Sequence, residues 1–173
     1  MTQQDFFGLF GLPRQQGVDV GRLEALYRDV QTKVHPDKHA HLSGAEQRQA
    51  MEWATRVNEA YLTLKDPLKR ARYLLELVGH DVRLETNTAM PVEFLMAQME
   101  LREAVADAKD RGDINGLDAQ HRRLKKDIHS EYATLQAVLD ASDHARAGEL
   151  VRQLMFQEKL LHEIGDALEV LET

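Results

Sequence analysis

The chain has 173 residues, 43 % of them apolar and 29 % charged, with a formal net charge of −7: a globular balance, enough for one domain or two small ones. No apolar run approaches the roughly 20 residues that span a bilayer, and the opening MTQQDFF lacks the basic and apolar blocks of a secretory leader. With no cysteine, disulfides and thiolate metal sites are excluded, and a reducing, cytoplasmic setting is expected. Residues 1–78 carry 11 Lys and Arg against 10 Asp and Glu, whereas residues 79–173 carry 11 against 19; so acidic a second half speaks against general nucleic-acid binding.

Apolar spacing of three and four residues dominates, so the predicted class is all-α. Phe6-Phe7-Gly8-Leu9-Phe10-Gly11-Leu12-Pro13 is an aromatic opening whose rings are expected in a core. A helix is predicted after Asp19, a good N-cap, with the stripe Val20, Leu23, Leu26, Tyr27, Val30 and Val34, and with Arg22, Arg28 and Lys33 on other faces. Pro36 stops it, because proline has no N–H and clashes with the turn before it. Ser43-Gly44-Ala45-Glu46 has the form of a capping box. It opens a long helix with Ala50, Met51, Ala54, Val57, Tyr61 and Leu64 on one face. Two long helices on a short loop should pack antiparallel, which leaves His35-Pro36-Asp37 at an exposed tip. Asp66-Pro67 reads as N-cap and first residue of a further helix that ends near Gly79.

Residues 80–90 lack periodicity and read as a linker between a first domain, 1–79, and a second, 91–173. The second domain is predicted to be a three-helix bundle. Pro91 opens its first helix, which ends near Arg111-Gly112. The next runs from about Gly116 to Ala141 on the stripe Leu117, His121, Leu124, Ile128, Glu131, Leu135 and Val138. Ser142 is expected to cap the last, with Ala147, Leu150, Leu154, Leu161, Ile164, Leu168 and Leu171 inward.

The helix after Pro91 has one apolar face too many. At about 100° per residue, Phe94, Ala97, Leu101, Ala104, Val105 and Ala108 form a stripe sufficient for the bundle. Val92, Leu95, Met96 and Met99 fall roughly opposite, bordered by Glu100, Glu103 and Asp107. A methionine-bearing patch with an acidic rim suits a protein partner; packing against the first domain, or burial in a deeper core, is the alternative. Phe156 and Leu160, both off the last helix's stripe, are expected to extend that patch.

The V-H-P-D-K turn at 34–38, held between two long amphipathic helices, resembles a J-domain. The resemblance implies docking on a DnaK-type ATPase chaperone and stimulation of its ATP hydrolysis. The implied chaperone-binding residues are His35, Pro36 and Asp37, with Arg22, Arg28, Lys33 and Lys38 steering towards an acidic surface; as bare sequence, these cations are equally a solvated helix face. D-F-F-G-L-F-G-L-P, R-V-N-E-A-Y-L-T-L-K-D-P-L-K-R-A-R-Y-L-L and F-L-M-A-Q-M-E-L-R-E extend the likeness over nearly the whole chain. Together these segments are similar to the HscB family, J-protein co-chaperones of iron–sulfur cluster biogenesis. That resemblance implies a C-terminal bundle that binds the cluster scaffold protein IscU and a J-domain that delivers it to HscA, a specialised DnaK-type chaperone. Carried over by motif, the scaffold-binding residues are Leu95, Met96, Met99, Glu100, Glu103, Asp107 and Phe156. Some eukaryotic members carry a cysteine-bearing N-terminal extension; this chain opens on the J-domain, so the likeness is to the bacterial form.

Rival readings fare worse. His35, His39 and His41 lie near Asp37, but H-x-x-x-H-x-H across a proline is no recognised zinc spacing. No phosphate loop, G-x-S-x-G or nucleophile–base pair is present, so neither an enzyme nor a cofactor is expected. A general J-protein for another folded client is the alternative; the Gly/Phe-rich or cysteine-rich segments usual in collectors of unfolded clients are missing.

Overall fold

The computed structural model describes residues 4–34, 37, 41–80, 82 and 90–173. Among them run α1 (Phe6–Leu9), α2 (Val20–Val34), α3 (Gly44–Lys65), α4 (Pro67–Leu77), α5 (Val92–Asp110), α6 (Ile114–Asp140) and α7 (His144–Glu172), with no strand. The chain is all-α, as its periodicity predicts. It divides into two compact units, Met1–Leu74 and Leu75–Thr173.

Side-chain caps set most helix starts. Asp5 Oδ1 accepts from the Gly8 N–H at 2.8 Å, and Ser43 Oγ from the Glu46 N–H at 3.3 Å. Asp66 Oδ1 accepts from the N–H groups of Leu68 and Lys69 at 2.8 and 3.1 Å. Each bond satisfies an amide that the first turn of a helix leaves without a backbone partner.

In the first unit, Phe7, Leu23, Val57, Ala60, Leu64 and Ala71 are almost fully buried. Tyr27 stacks on Tyr61 with ring centroids 4.0 Å apart, and its hydroxyl lies 2.5 Å from Asn58 Oδ1. Contacts from the middle of α2 to the second half of α3, across a connection of nine residues, require the antiparallel hairpin expected from sequence. Phe6 stacks on Tyr73 at 4.6 Å and donates its N–H to the Tyr73 hydroxyl at 2.9 Å. The Arg56 guanidinium lies over the Phe6 ring, 5.3 Å from its centroid. The aromatic opening is thus core, as expected. Burial pushes the Tyr73 phenol above its ordinary pKa, although the Phe6 N–H bond works against that shift. Burial also pushes the Asp5 carboxyl up, but bonds from the Arg14 side chain and from the Gly8 and Phe7 amides, together with the Arg14 charge, outweigh it and lower the pKa.

The second unit is built on the α6–α7 seam. α6 buries Leu117, Leu124, Ile128 and Leu135, and α7 buries Ala147, Leu150, Val151, Leu154, Leu160, Ile164 and Ala167. From α5 only Val105 and Ala108 are fully buried. The Arg102–Glu163 ion pair, 3.1 Å, ties α5 to α7. A polar layer interrupts the seam where Glu131 accepts from the Gln157 amide and the Tyr132 hydroxyl bonds Glu158. Burial raises the Glu131 pKa against the opposing pull of Gln157 and Arg146. After α4, Val82 is buried and His80 lies against Gly148 of α7.

Several expectations need correction. Ser142 does not cap α7. It has φ 58° and closes α6, while Asp143 caps α7 by accepting from the Arg146 N–H at 3.2 Å. One residue cannot hold the left-handed conformation that ends a helix and the extended one usual for an N-cap. The middle helix starts at Ile114, two residues early, because Asp113 caps it through the Gly116 N–H at 2.9 Å. Met51 is 65 % exposed, so the buried stripe of α3 does not reach its first turns. Val20 also lies at the surface. Leu160 is 1 % exposed and belongs to the seam. Neighbours on two sides bury a wider arc of α7 than one stripe.

Candidate protein-docking surfaces

Two surfaces carry the candidate residues. On α2, Asp19 Oδ1 accepts from the Arg22 N–H at 3.2 Å and fixes the start of the helix. Arg22, Arg28 and Lys33 are all exposed. At about 100° per residue, Arg22 and Lys33 stand on one line beside the buried Leu23 face, and Arg28 stands about 120° round from them. The structure therefore brings two of the three cations onto one flank and leaves the third on another. Lys33 pairs with Asp29 at 3.4 Å along the helix; with both side chains well exposed, such a pair constrains little. Asp37 is exposed. His35, Pro36, Lys38 and His39 lie outside the described residues. No group of acidic or histidine side chains able to hold a metal occurs among the described residues.

The second surface is the outer face of α5. Val92, Leu95, Met96 and Met99 are 69, 44, 57 and 63 % exposed. Their helical angles place them on one face, opposite Val105 and Ala108, which are the helix's buried residues. Glu100, Glu103 and Asp107 are exposed beside them. Asp107 is bonded to Arg111 at 2.8 Å, four residues on. On α7, Phe156 is 37 % exposed. Leu160, expected to continue that patch, is in the core.

Three further apolar side chains are exposed on α3: Met51, Trp53 and Leu62. Periodicity does not single them out, because it cannot tell a helix face lacking a partner from one that has it. The contacts of α5 with α6 were equally hidden. Ala97, Glu100, Leu101 and Ala104 of α5 and Gln120, Arg123, Leu124 and Asp127 of α6 line a cavity of about 290 Å³. The only signal in the sequence is that Gln120, Arg123, Leu124 and Asp127 share one helical face.

Residues 5–73 match the DnaJ domain family model, and residues 90–165 match that of the HSCB C-terminal oligomerisation domain. The chain belongs to the HscB family. A co-chaperone protein HscB homolog of Aromatoleum aromaticum is 54 % identical over 172 residues, covering 99 % of this chain and 97 % of the relative. One of Azoarcus sp. is 53 % identical over 171 residues, covering 98 % and 97 %. Among solved structures, chaperone HscB from Vibrio cholerae superposes with a TM-score of 0.86 at 36 % identity, covering 97 % of this chain and 99 % of that one. The HscB likeness read from the sequence is therefore established, and with it a J-domain co-chaperone of iron–sulfur cluster biogenesis rather than an enzyme. No helix among the described residues is long and apolar enough to cross a membrane.

Proposed function

We propose that this HscB-family protein is a cytoplasmic adaptor with two docking surfaces. The bundle, residues 91–173, holds an IscU-type iron–sulfur scaffold protein. The J-domain, residues 1–79, presents that client to an HscA-like, DnaK-type ATPase chaperone and stimulates its ATP hydrolysis. The observation that carries this reading is the outward apolar face of α5. A helix that buries Val105 and Ala108 on one side has no internal use for Leu95, Met96 and Met99 on the other. Leaving them in water forgoes about 25 cal/mol per Å², which a partner recovers on docking. Glu100, Glu103, Asp107 and Phe156 complete the proposed contact.

On the first surface, His35, Pro36 and Asp37 form the proposed trigger. Arg22, Lys33 and Lys38 steer the approach to an acidic chaperone surface, and Arg28, on a different flank, contributes to the long-range field. Tethering client and trigger in one chain makes delivery effectively intramolecular.

The test is single-turnover ATP hydrolysis by the cognate chaperone, with this protein, with scaffold, and with both. Asp37→Asn is expected to abolish stimulation while scaffold binding persists, and a Leu95/Met96/Met99→Ala triple variant is expected to do the reverse. Loss of both activities in either variant, with helicity unchanged, would refute the division of labour.

A further inference from the structure

The α5–α6 cavity is an odd feature of a three-helix bundle. Helices pack at 8–10 Å when their side chains interdigitate, yet the middle of α5 leaves about 290 Å³ beside α6. Its residues explain why. Ala97 and Ala104 are too short to fill the space; Ala97 is exposed, and Leu101 and Ala104 are only partly buried. Leu124 forms an apolar floor, 3 % exposed. Glu100 stands on the α5 rim, Arg123 and Asp127 on the α6 rim. No side-chain hydrogen bond or ion pair engages these three among the described residues, so their charges are available to a visitor. The two carboxylates against one guanidinium leave the groove net negative. Its size lies at the small end for ligand pockets and suits a long side chain better than a cofactor.

Glu100 belongs both to this groove and to the rim of the Leu95–Met96–Met99 face, so the two are continuous. We propose that the groove is part of the client interface and receives a lysine or arginine side chain of the scaffold protein. Its aliphatic stem lies on Ala97, Leu101 and Leu124, and its charge is held between Glu100 and Asp127. This rests on the reading that the bundle binds the scaffold. It adds α6, through Gln120, Arg123 and Asp127, to an interface otherwise drawn from α5 and α7. A cation between two carboxylates over an apolar floor is a specificity element, since an uncharged residue there leaves the groove's net negative charge uncompensated and an acidic one adds to it.

Calorimetric titration of the full-length protein with its cognate scaffold tests the groove. Asp127→Lys and the space-filling Ala97→Phe are each expected to weaken binding at least tenfold, with circular dichroism and thermal midpoint unchanged. Arg123→Glu, which adds negative charge, is expected to tighten binding and steepen its loss with salt. Weakening by Arg123→Glu would overturn the cationic occupant. If the Leu95/Met96/Met99→Ala variant loses binding while Asp127→Lys and Ala97→Phe bind like wild type, the groove is a packing gap and this proposal alone falls. If the wild type does not bind the scaffold at all, the reading of the bundle falls and the groove with it.

Discussion

Gly112 and Ser142 occupy the same position in two copies of one turn. Both have positive φ, 63° and 58°. The Gly112 N–H donates to the Lys109 carbonyl and the Asp113 N–H to Ala108; the Ser142 N–H donates to Leu139 and the Asp143 N–H to Val138. In each case the next residue is an aspartate that caps the following helix. Only glycine holds this conformation without a Cβ penalty, about 1–2 kcal/mol for other residues. Ser142→Gly is therefore expected to raise stability by roughly 0.5–1 kcal/mol, part of the gain being returned to the freer unfolded chain. Gly112→Ser is expected to lower it by a similar amount. Urea unfolding of both variants checks this, and equal shifts of one sign would contradict it.

This pair shows where reading the sequence stops. Gly112 announces its turn, since glycine past a helical run is a known stop signal. Ser142 reads as an N-cap, because serine caps far more often than it adopts positive φ, and only the backbone reveals that Asp143 takes the cap. The hairpin, the aromatic opening, the Ser43 and Asp66 caps and the two-faced α5 are legible, since each follows from local chemistry or a 3.6-residue period. Met51 and Leu160 are not. Their burial depends on how many neighbours a helix has at that level, and periodicity gives direction, not coverage. The α5–α6 groove is hidden for the same reason: it is a deficit of volume between two helices, each ordinary by itself.

His80 and Gly148 supply a second prediction. A Cβ on Gly148 would stand 2.8 Å from His80 Nε2 and 3.3 Å from its Cδ2. Alanine should favour α7 by about 1 kcal/mol on propensity alone. Because the imidazole occupies that space, Gly148→Ala is expected to give no gain, or a loss. In a His80→Ala background the same change should stabilise by about 1 kcal/mol. A double-mutant cycle in thermal unfolding measures the coupling; additive single effects would show that the ring moves aside without cost.

Glu131 carries a pH prediction. Burial raises its folded pKa above the ordinary glutamate value. Over the interval from there up to its folded pKa the native state holds more protons than the unfolded chain, so this group's contribution falls as pH rises. The Gln157 Oε1 beside it is buried without a hydrogen-bond partner, and a neutral side chain at 131 can donate to it. Glu131→Gln is expected to stabilise by roughly 1 kcal/mol at pH 7. The gain should shrink as the pH falls and the wild-type carboxyl takes up its proton. A gain independent of pH would place the cause elsewhere.

Phe156 and Leu160 stand one turn apart on α7 and divide sharply in burial, 37 % against 1 % exposed. Leu160→Ala removes core packing and is expected to cost about 2–5 kcal/mol, enough to lower the thermal midpoint of the bundle markedly. Phe156→Ala should cost clearly less than Leu160→Ala, because more than a third of the residue is already in water. Its effect is expected in scaffold titrations instead, where loss of an aromatic anchor weakens binding at least tenfold if the ring sits in a hot spot. Measuring both properties for both variants separates core from surface on a single helix. A Phe156→Ala protein that unfolds early would show the ring to be a bundle residue and confine the client contact to α5 and the groove beside it.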